Sequence, residues 1–422
     1  MRETVDFIPF VTWPTWLEGL IVMTVVYLAF VSLLAMFFIW WERKVSAHMQ
    51  SRLGPMRTGL WHGWAQSPAD GLKLLGKEDL VPADADKPLF RLAAYLAFVP
   101  AFAALVVLPF SAKFVFVDMP ISLVFIFGVL SLEIVGVMLA GWASNSKWAL
   151  YGAIREACQV VSYEIPMGLS LLAPALTVGS LSLAVIGADQ GAGLHQWLMF
   201  RNPFLFVAFF VFFIASLASC KRAPFDLPEC ESELVAGFLT EYSGMRWAMF
   251  FFAEYVVMYI IGALAAILFL GAWYDPFGII LGLENAGQSW TAAVAGAGVM
   301  IVKGFIMVFV QMWLRWTLPR LRIDQVMYVC VKVLLPTACL TLIGSAAWKW
   351  LAGEGLFQQI TQIALTVLGT GGALSFVLLL ARALLKPSQG ILPTIITPWH
   401  AEPPPAPVAP AATAVEEGQA NG

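Results

Sequence analysis

Long apolar runs alternate along this chain with shorter polar connections. Nine runs stand out: Trp16–Trp41, Leu92–Phe110, Ile121–Trp142, Cys158–Leu176, Pro203–Ser219, Trp247–Trp273, Thr291–Trp313, Met327–Trp350 and Ile360–Leu380. Each is close to the ~20 residues that a helix needs to cross a hydrocarbon core of about 30 Å. The short alternating segments of a membrane barrel do not occur. The pattern predicts an all-α fold, a polytopic membrane helix bundle of about nine spans.

The connections alternate too. All Lys and Arg of the 24 except Arg2, Lys113, Arg201, Lys303 and Lys349 fall in alternate links, near the adjoining end of a run (Lys332), or after the last run. Basic residues are retained on the cytoplasmic side, which places the N-terminus outside and the C-terminal end inside. An odd number of spans agrees with Arg382 and Lys386 following the ninth. The first link, Glu42 to Arg91, is long. Within it, Gly59 to Lys77 reads as an amphipathic surface helix, with Leu60, Trp64, Leu72 and Leu75 toward lipid or protein and Asp70, Lys73 and Lys77 on the polar side. Gly54-Pro55 and Ser67-Pro68 predict bends before and within it, so the helix is expected to be interrupted. Residues 1–390 read as the transmembrane domain. Residues 391–422, rich in Pro and Ala, cannot bury a core and are expected to be a disordered tail.

Composition agrees with the pattern: 60% of residues are hydrophobic and only 12% charged, with a mean hydropathy of +0.80. The stretch from Met1 to Trp16 carries Glu3 and Asp6, unlike a cleavable leader. The five cysteines show no CxxC spacing and the four histidines are scattered, so no metal, haem or iron–sulfur site is signalled. Redox sensitivity is conceivable only at Cys220 or Cys230. Neither a dinucleotide fingerprint nor a Walker motif is present, and a net charge of −3 gives no reason to expect nucleic acid. Any redox cofactor has to come from partners.

What chemistry the chain carries lies in its carboxylates. Glu133, Glu164 and Glu254 fall inside the third, fourth and sixth runs, and Lys303 inside the seventh. Each costs about 2.5 kcal/mol or more in a bilayer unless paired or hydrated. Glu229, Glu231 and Glu233 crowd within five residues of an acidic connection, where like charges push some pKa values upward. Taken singly, each buried group could serve an internal salt bridge or a subunit interface, and the cluster could be a solvated loop. Taken together they point to a proton path, which needs neighbouring groups of similar pKa linked by water.

Several segments resemble one family. They are Glu42-Arg43-Lys44-Val45, Gln50-Ser51-Arg52-Leu53-Gly54-Pro55, Ala69-Asp70-Gly71-Leu72-Lys73-Leu74, Gly141-Trp142-Ala143-Ser144-Asn145-Ser146-Lys147, Ser162-Tyr163-Glu164, Arg222-Ala223-Pro224-Phe225-Asp226, Glu231-Ser232-Glu233-Leu234 and Pro319-Arg320-Leu321-Arg322. In order, from about Leu17 to Trp350, they resemble the H subunit of proton-translocating NADH:quinone oxidoreductase, respiratory complex I, a component of the respiratory electron-transport chain. The family has eight core spans, and the ninth run lies beyond them.

The resemblance implies a multi-pass protein of the cell inner membrane that binds no cofactor alone. FMN and iron–sulfur clusters would sit in partner subunits, with ubiquinone or menaquinone as substrate. It implies a quinone chamber involving Arg43, Arg52, Arg222, Phe225 and Asp226. It also implies a proton path through Glu133, Glu164, Glu229, Glu231, Glu233 and Glu254. Expected partners are the peripheral-arm quinone-site and terminal iron–sulfur subunits, the small membrane subunits, the antiporter-like subunits and membrane lipid. One departure bears on the path: Ser219 stands where many members carry a glutamate, three residues before the arginine of the RxPFD motif. Two other readings are the membrane anchor of a group 4 hydrogenase or of a deazaflavin-linked dehydrogenase, and a stand-alone ion transporter. The full first link and Glu231-Ser232-Glu233-Leu234 favour the quinone enzyme.

Overall fold

The computed structural model describes residues 16–59, 62–191, 193–228, 231–352 and 356–385. Among them there is no strand, and the fold is all-α. The α-helices are α1 (Trp16–Met49), α2 (Gln66–Gly76), α3 (Lys87–Val106), α4 (Ser122–Ala143), α5 (Lys147–Val178), α6 (Leu183–Ala188), α7 (Leu198–Arg201), α8 (Pro203–Ser219), α9 (Glu231–Leu234), α10 (Gly244–Phe269), α11 (Ile279–Asn285), α12 (Ser289–Thr317), α13 (Ile323–Tyr328), α14 (Leu335–Ala352) and α15 (Leu356–Leu385). Each of the nine apolar runs lies largely on one of these helices. Among the described residues, six stretches are long and apolar enough to cross a membrane: α3, α4, α5, α10, α12 and the continuous Ile323–Leu351. Within that last stretch α13 passes into α14 through π-helical turns at Val329–Leu334. Pro336 follows directly and has no N–H to offer the carbonyl four residues back, a common cause of a local widening. The expected tail, 391–422, and Leu60 of the surface helix lie outside the described residues.

The described residues up to Val367 form one compact unit and those from Leu368 onward a second. In the first, α10 is the central helix, with 89% of its apolar window buried, against 28% for the outlying α4. It packs against α1, α3 and α12, while α5 packs against α4, α8 and α14. Apolar burial drives little helix association where lipid is equally apolar, so close packing of small residues takes over. On α10, a Cβ added at Gly262 would come 3.2 Å from Met307 Cβ and 3.3 Å from the Gly304 carbonyl of α12. Glycine there relieves a contact that would be tight with any side chain and lets the two backbones approach. Gly136 of α4 does the same toward α3, where an added Cβ would stand 2.6 Å from the Ala97 nitrogen.

The first link folds differently from expectation. Its helix is uninterrupted and runs only over Gln66–Gly76. Pro68 sits in its first turn, where a missing N–H costs nothing, so the proline does not break it. Leu72 and Leu75 are exposed, Trp64 stacks on Trp40 of α1 at 4.4 Å, and Asp70 turns inward to Arg43.

Candidate functional site

The loop after α8 organises the site, and three elements hold it. The Gln159 side chain of α5 donates to the Ala218 carbonyl at 2.8 Å and the Phe225 carbonyl at 2.7 Å. The Leu321 N–H donates to the Pro224 carbonyl at 3.0 Å. Phe225 is buried with its ring 5.4 Å from that of Tyr163, whose hydroxyl donates to the Val326 carbonyl at 2.8 Å. Lys221 takes a left-handed conformation, φ 54°. For a residue with a Cβ this costs about 1–3 kcal/mol and persists only where the surroundings impose it. Here the surroundings are two sets of buried charges, one on each side of the loop.

On one side lies Arg222, 3% exposed. Its Nη1 donates to both carboxylate oxygens of Glu42 at 3.1 and 3.0 Å, and its guanidinium lies 4.7 Å from the Tyr255 ring centre. Arg315 of α12 also donates to Glu42, at 2.5 Å. One carboxylate of α1 thus ties together α1, the loop and α12. Asp226 is half-buried beside Phe225.

On the other side Lys221, 7% exposed, reaches Glu133 of α4 at 2.9 Å and Glu156 of α5 at 2.5 Å. Burial pushes the Lys221 ammonium toward neutrality, but Glu133 and Glu156 outweigh it and hold its pKa well above the ordinary lysine value. Glu254 of α10, itself buried, acts on Lys221 and Arg222 alike. An enclosed cavity of about 20 Å³ is lined by Glu133, Glu156, Glu164, Ser219 and Lys221, among apolar neighbours. That is room for one water. Glu164 faces it on α5 and accepts from the Ser131 hydroxyl at 3.1 Å. The structure therefore brings Glu133 and Glu164 to one cavity, and Ser219 to its wall. Cys220 is buried, and burial pushes its thiol up to about 12, which argues against the redox sensitivity weighed for it.

A second pocket, about 180 Å³, opens between α1, α2 and α10, lined by Ile39, Arg43, Asp70, Lys73, Trp247 and Phe251 among others. Arg43 pairs with Asp70 at its rim. Arg52 does not join it: the side chain is exposed and donates to Gln50 at 2.7 Å. A third, wider cleft of about 570 Å³ holds Arg155, Glu233, Arg320, Arg322 and Asp324. Glu233 is exposed there and pairs with Arg155 at 2.5 Å and Arg320 at 2.9 Å. It belongs to this cleft, apart from the cavity around Glu133. Glu229 lies outside the described residues, as does the side chain of Glu231. Lys303 is also separate: its ammonium donates to the carbonyls of Leu270, Ala272 and Tyr274 at 2.6 to 2.9 Å, satisfying the chain as it leaves α10.

Sequence reasoning missed Glu42 and Glu156 as site residues. Both helices outrun their apolar windows, so the two carboxylates looked like link residues. Spacing was the available signal. Glu42 follows Val31, Ala35 and Phe38 on the buried face of α1, and Glu156 precedes Val160, Tyr163 and Met167 on that of α5.

Comparison with known proteins now decides the family. A family described as NADH dehydrogenase matches residues 22–346. The H subunit of the NADH-quinone oxidoreductase of Chlorobaculum parvum is 48% identical over 337 residues, covering 78% of this chain and 92% of that protein. The H subunit from Anaeromyxobacter dehalogenans is 42% identical over 347 residues, 80% and 84% of the two chains. That of Geobacillus sp. (strain WCH70) is 47% identical over 305 residues, 72% and 86%.

The chain belongs to the family of NADH-quinone oxidoreductase H subunits. It is a membrane-embedded component of that oxidoreductase, complex I, and the complex's other subunits are its partners. The matched region ends at residue 346, before α15 begins.

Proposed function

We propose that this subunit forms the quinone chamber of the complex and carries the first step by which quinone reduction drives proton translocation. One observation carries the reading: three carboxylates from α4 and α5 line a single water-sized cavity together with Lys221, at the start of the loop that bears Phe225 and Asp226. Groups placed like this can exchange a proton through one water, and they lie where charge formed in a chamber above would be felt. The pocket between α1, α2 and α10 has an apolar interior and a charged rim, suited to admit an isoprenoid quinone from the bilayer. The cleft at Arg155, Arg320 and Arg322 is open to water, and a neighbouring subunit of the peripheral arm would close it over the chamber. FMN and the iron–sulfur clusters belong to those neighbours. The site sits at the ends of the helices where basic residues collect, so the peripheral arm docks on the cytoplasmic side of the inner membrane, with the N-terminus opposite. A reporter fused at either end, read for accessibility from both faces, tests that orientation: both ends on one face overturns it.

Glu164→Gln tests the path itself, because glutamine keeps the size and the bond from Ser131 but cannot ionise. In reconstituted vesicles this variant assembles and binds quinone, yet loses most coupled turnover and proton pumping. Normal pumping would reduce Glu164 to a structural role.

A further inference from the structure

Glu133 and Glu156 approach one ammonium from two different helices, in an enclosed site with apolar walls. Two carboxylates confined so closely cannot both ionise unless a cation lies between them; without one they share a proton. A buried pair of this kind is poor at adding stability, since well-packed apolar side chains do as well or better. Its presence therefore asks for a reason in function. Two observations of the backbone bear on it. Lys221 holds a left-handed conformation that aims its side chain at the cavity while the next residue, Arg222, engages Glu42. Ser219, on the same turn, lines the cavity with a small neutral side chain and leaves the space to the ammonium.

We propose that Lys221 is the resident counter-ion of the proton path, a positioning residue that keeps Glu133 and Glu156 both ionised so that the pair takes up one proton when charge arrives in the chamber. This rests on the reading of the chamber and path given above. Two carboxylates and one ammonium carry a net charge of one negative. A proton from Glu164, relayed through the single water-sized space, neutralises one carboxylate and brings the triad to zero. The ammonium then pairs with the carboxylate that remains charged, and the protonated one is free to give its proton onward. The other charged or titratable groups facing the triad are Glu164 of α5, Glu254 of α10, and Cys220 and Arg222 of the loop itself. Among these, Arg222 is already engaged by Glu42, so Lys221 is the cation that the two carboxylates share.

The test uses the whole complex in vesicles. Lys221→Met fills similar volume without charge. The complex is expected to assemble and to oxidise NADH normally with an artificial acceptor, while pumping with quinone falls at least about tenfold. Infrared spectra should gain the stretching band of a protonated carboxyl group, and adding Glu156→Gln should remove it. Lys221→Arg, which keeps the charge, should restore pumping and abolish the band. If Lys221→Met does not assemble, the charge-balanced Lys221→Met/Glu133→Gln replaces it: a single carboxylate has no partner to share a proton with, so pumping should fall without a new carboxyl band. Normal pumping in the variant that assembles, or no new carboxyl band in an assembled Lys221→Met, overturns the counter-ion. Glu164→Gln separates the two ideas: normal pumping there sinks the path as a whole. Lost pumping there with normal pumping in Lys221→Met sinks the role of Lys221 alone.

Discussion

Glu42→Gln probes how the chamber loop is held. Glu42 is 4% exposed and accepts from Arg222 twice and from Arg315 once. Removing one partner of a buried ion pair costs about 3–5 kcal/mol, chiefly because a charge stays behind unpaired. Glutamine keeps one acceptor, and the Arg315 side chain is 26% exposed, so water takes over part of its solvation. The lower end of the range, about 3 kcal/mol, is therefore expected. The loss is local, since Gln159 still holds the loop to α5. At 1.4 kcal/mol per factor of ten, the loop should open roughly a hundredfold more often. Amide exchange measured by mass spectrometry over residues 217–228 reads this directly. The N–H groups of Arg222, Phe225 and Leu227 all bond to carbonyls within that segment. Their exchange should accelerate by about two orders of magnitude, while α4 stays as protected as before. Adding Arg222→Gln should cost less than the sum of the single changes, because each removes the same contact. Unchanged exchange in Glu42→Gln would show that the ion pair does not hold the loop, and would remove α1 and α12 from the account of the chamber.

Other expectations are more local. Arg43→Met should raise the KM for quinone roughly fivefold with kcat kept, the loss of about 1 kcal/mol of binding at the pocket rim; Arg52→Met should leave both unchanged, and equal effects of the two would deny that pocket a role in entry. Burial raises the Asp275 pKa, but the backbone N–H groups of Ile280 and Ile279, with that of Phe277, outweigh it and hold the carboxyl below the usual carboxylate range. A depressed folded-state pKa gives stability that is present above the unfolded value and lost as pH falls through the folded one. Exchange protection of residues 277–280 should therefore hold at neutral pH and weaken only in strong acid, and Asp275→Asn should abolish that acid dependence; protection lost already near pH 6 would refute the assignment.

The apolar pattern determined the class of fold, because a bilayer admits helices of one length and asks each to satisfy its own backbone bonds. It also located Glu133, Glu164 and Glu254, since a carboxylate in an apolar run is costly and visible in the sequence alone. Motif order was enough to suggest the family. Tertiary structure decided which charges meet. Glu42 and Glu156 became site residues only because α1 and α5 extend past their apolar windows and turn those positions inward. Glu233, close in sequence to the chamber loop, was drawn instead to Arg155 and Arg320 at an open cleft. Pro68 broke nothing because α2 begins at Gln66 and so places it in the first turn, where its missing N–H costs nothing. Lys221 and Arg222 are neighbours in sequence, yet one pairs with α4 and α5 and the other with α1. A linear chain records that both are cations. Which carboxylate each one finds depends on the direction of a side chain at a left-handed turn and on helices as far as 180 residues away along the chain, and only packing supplies that.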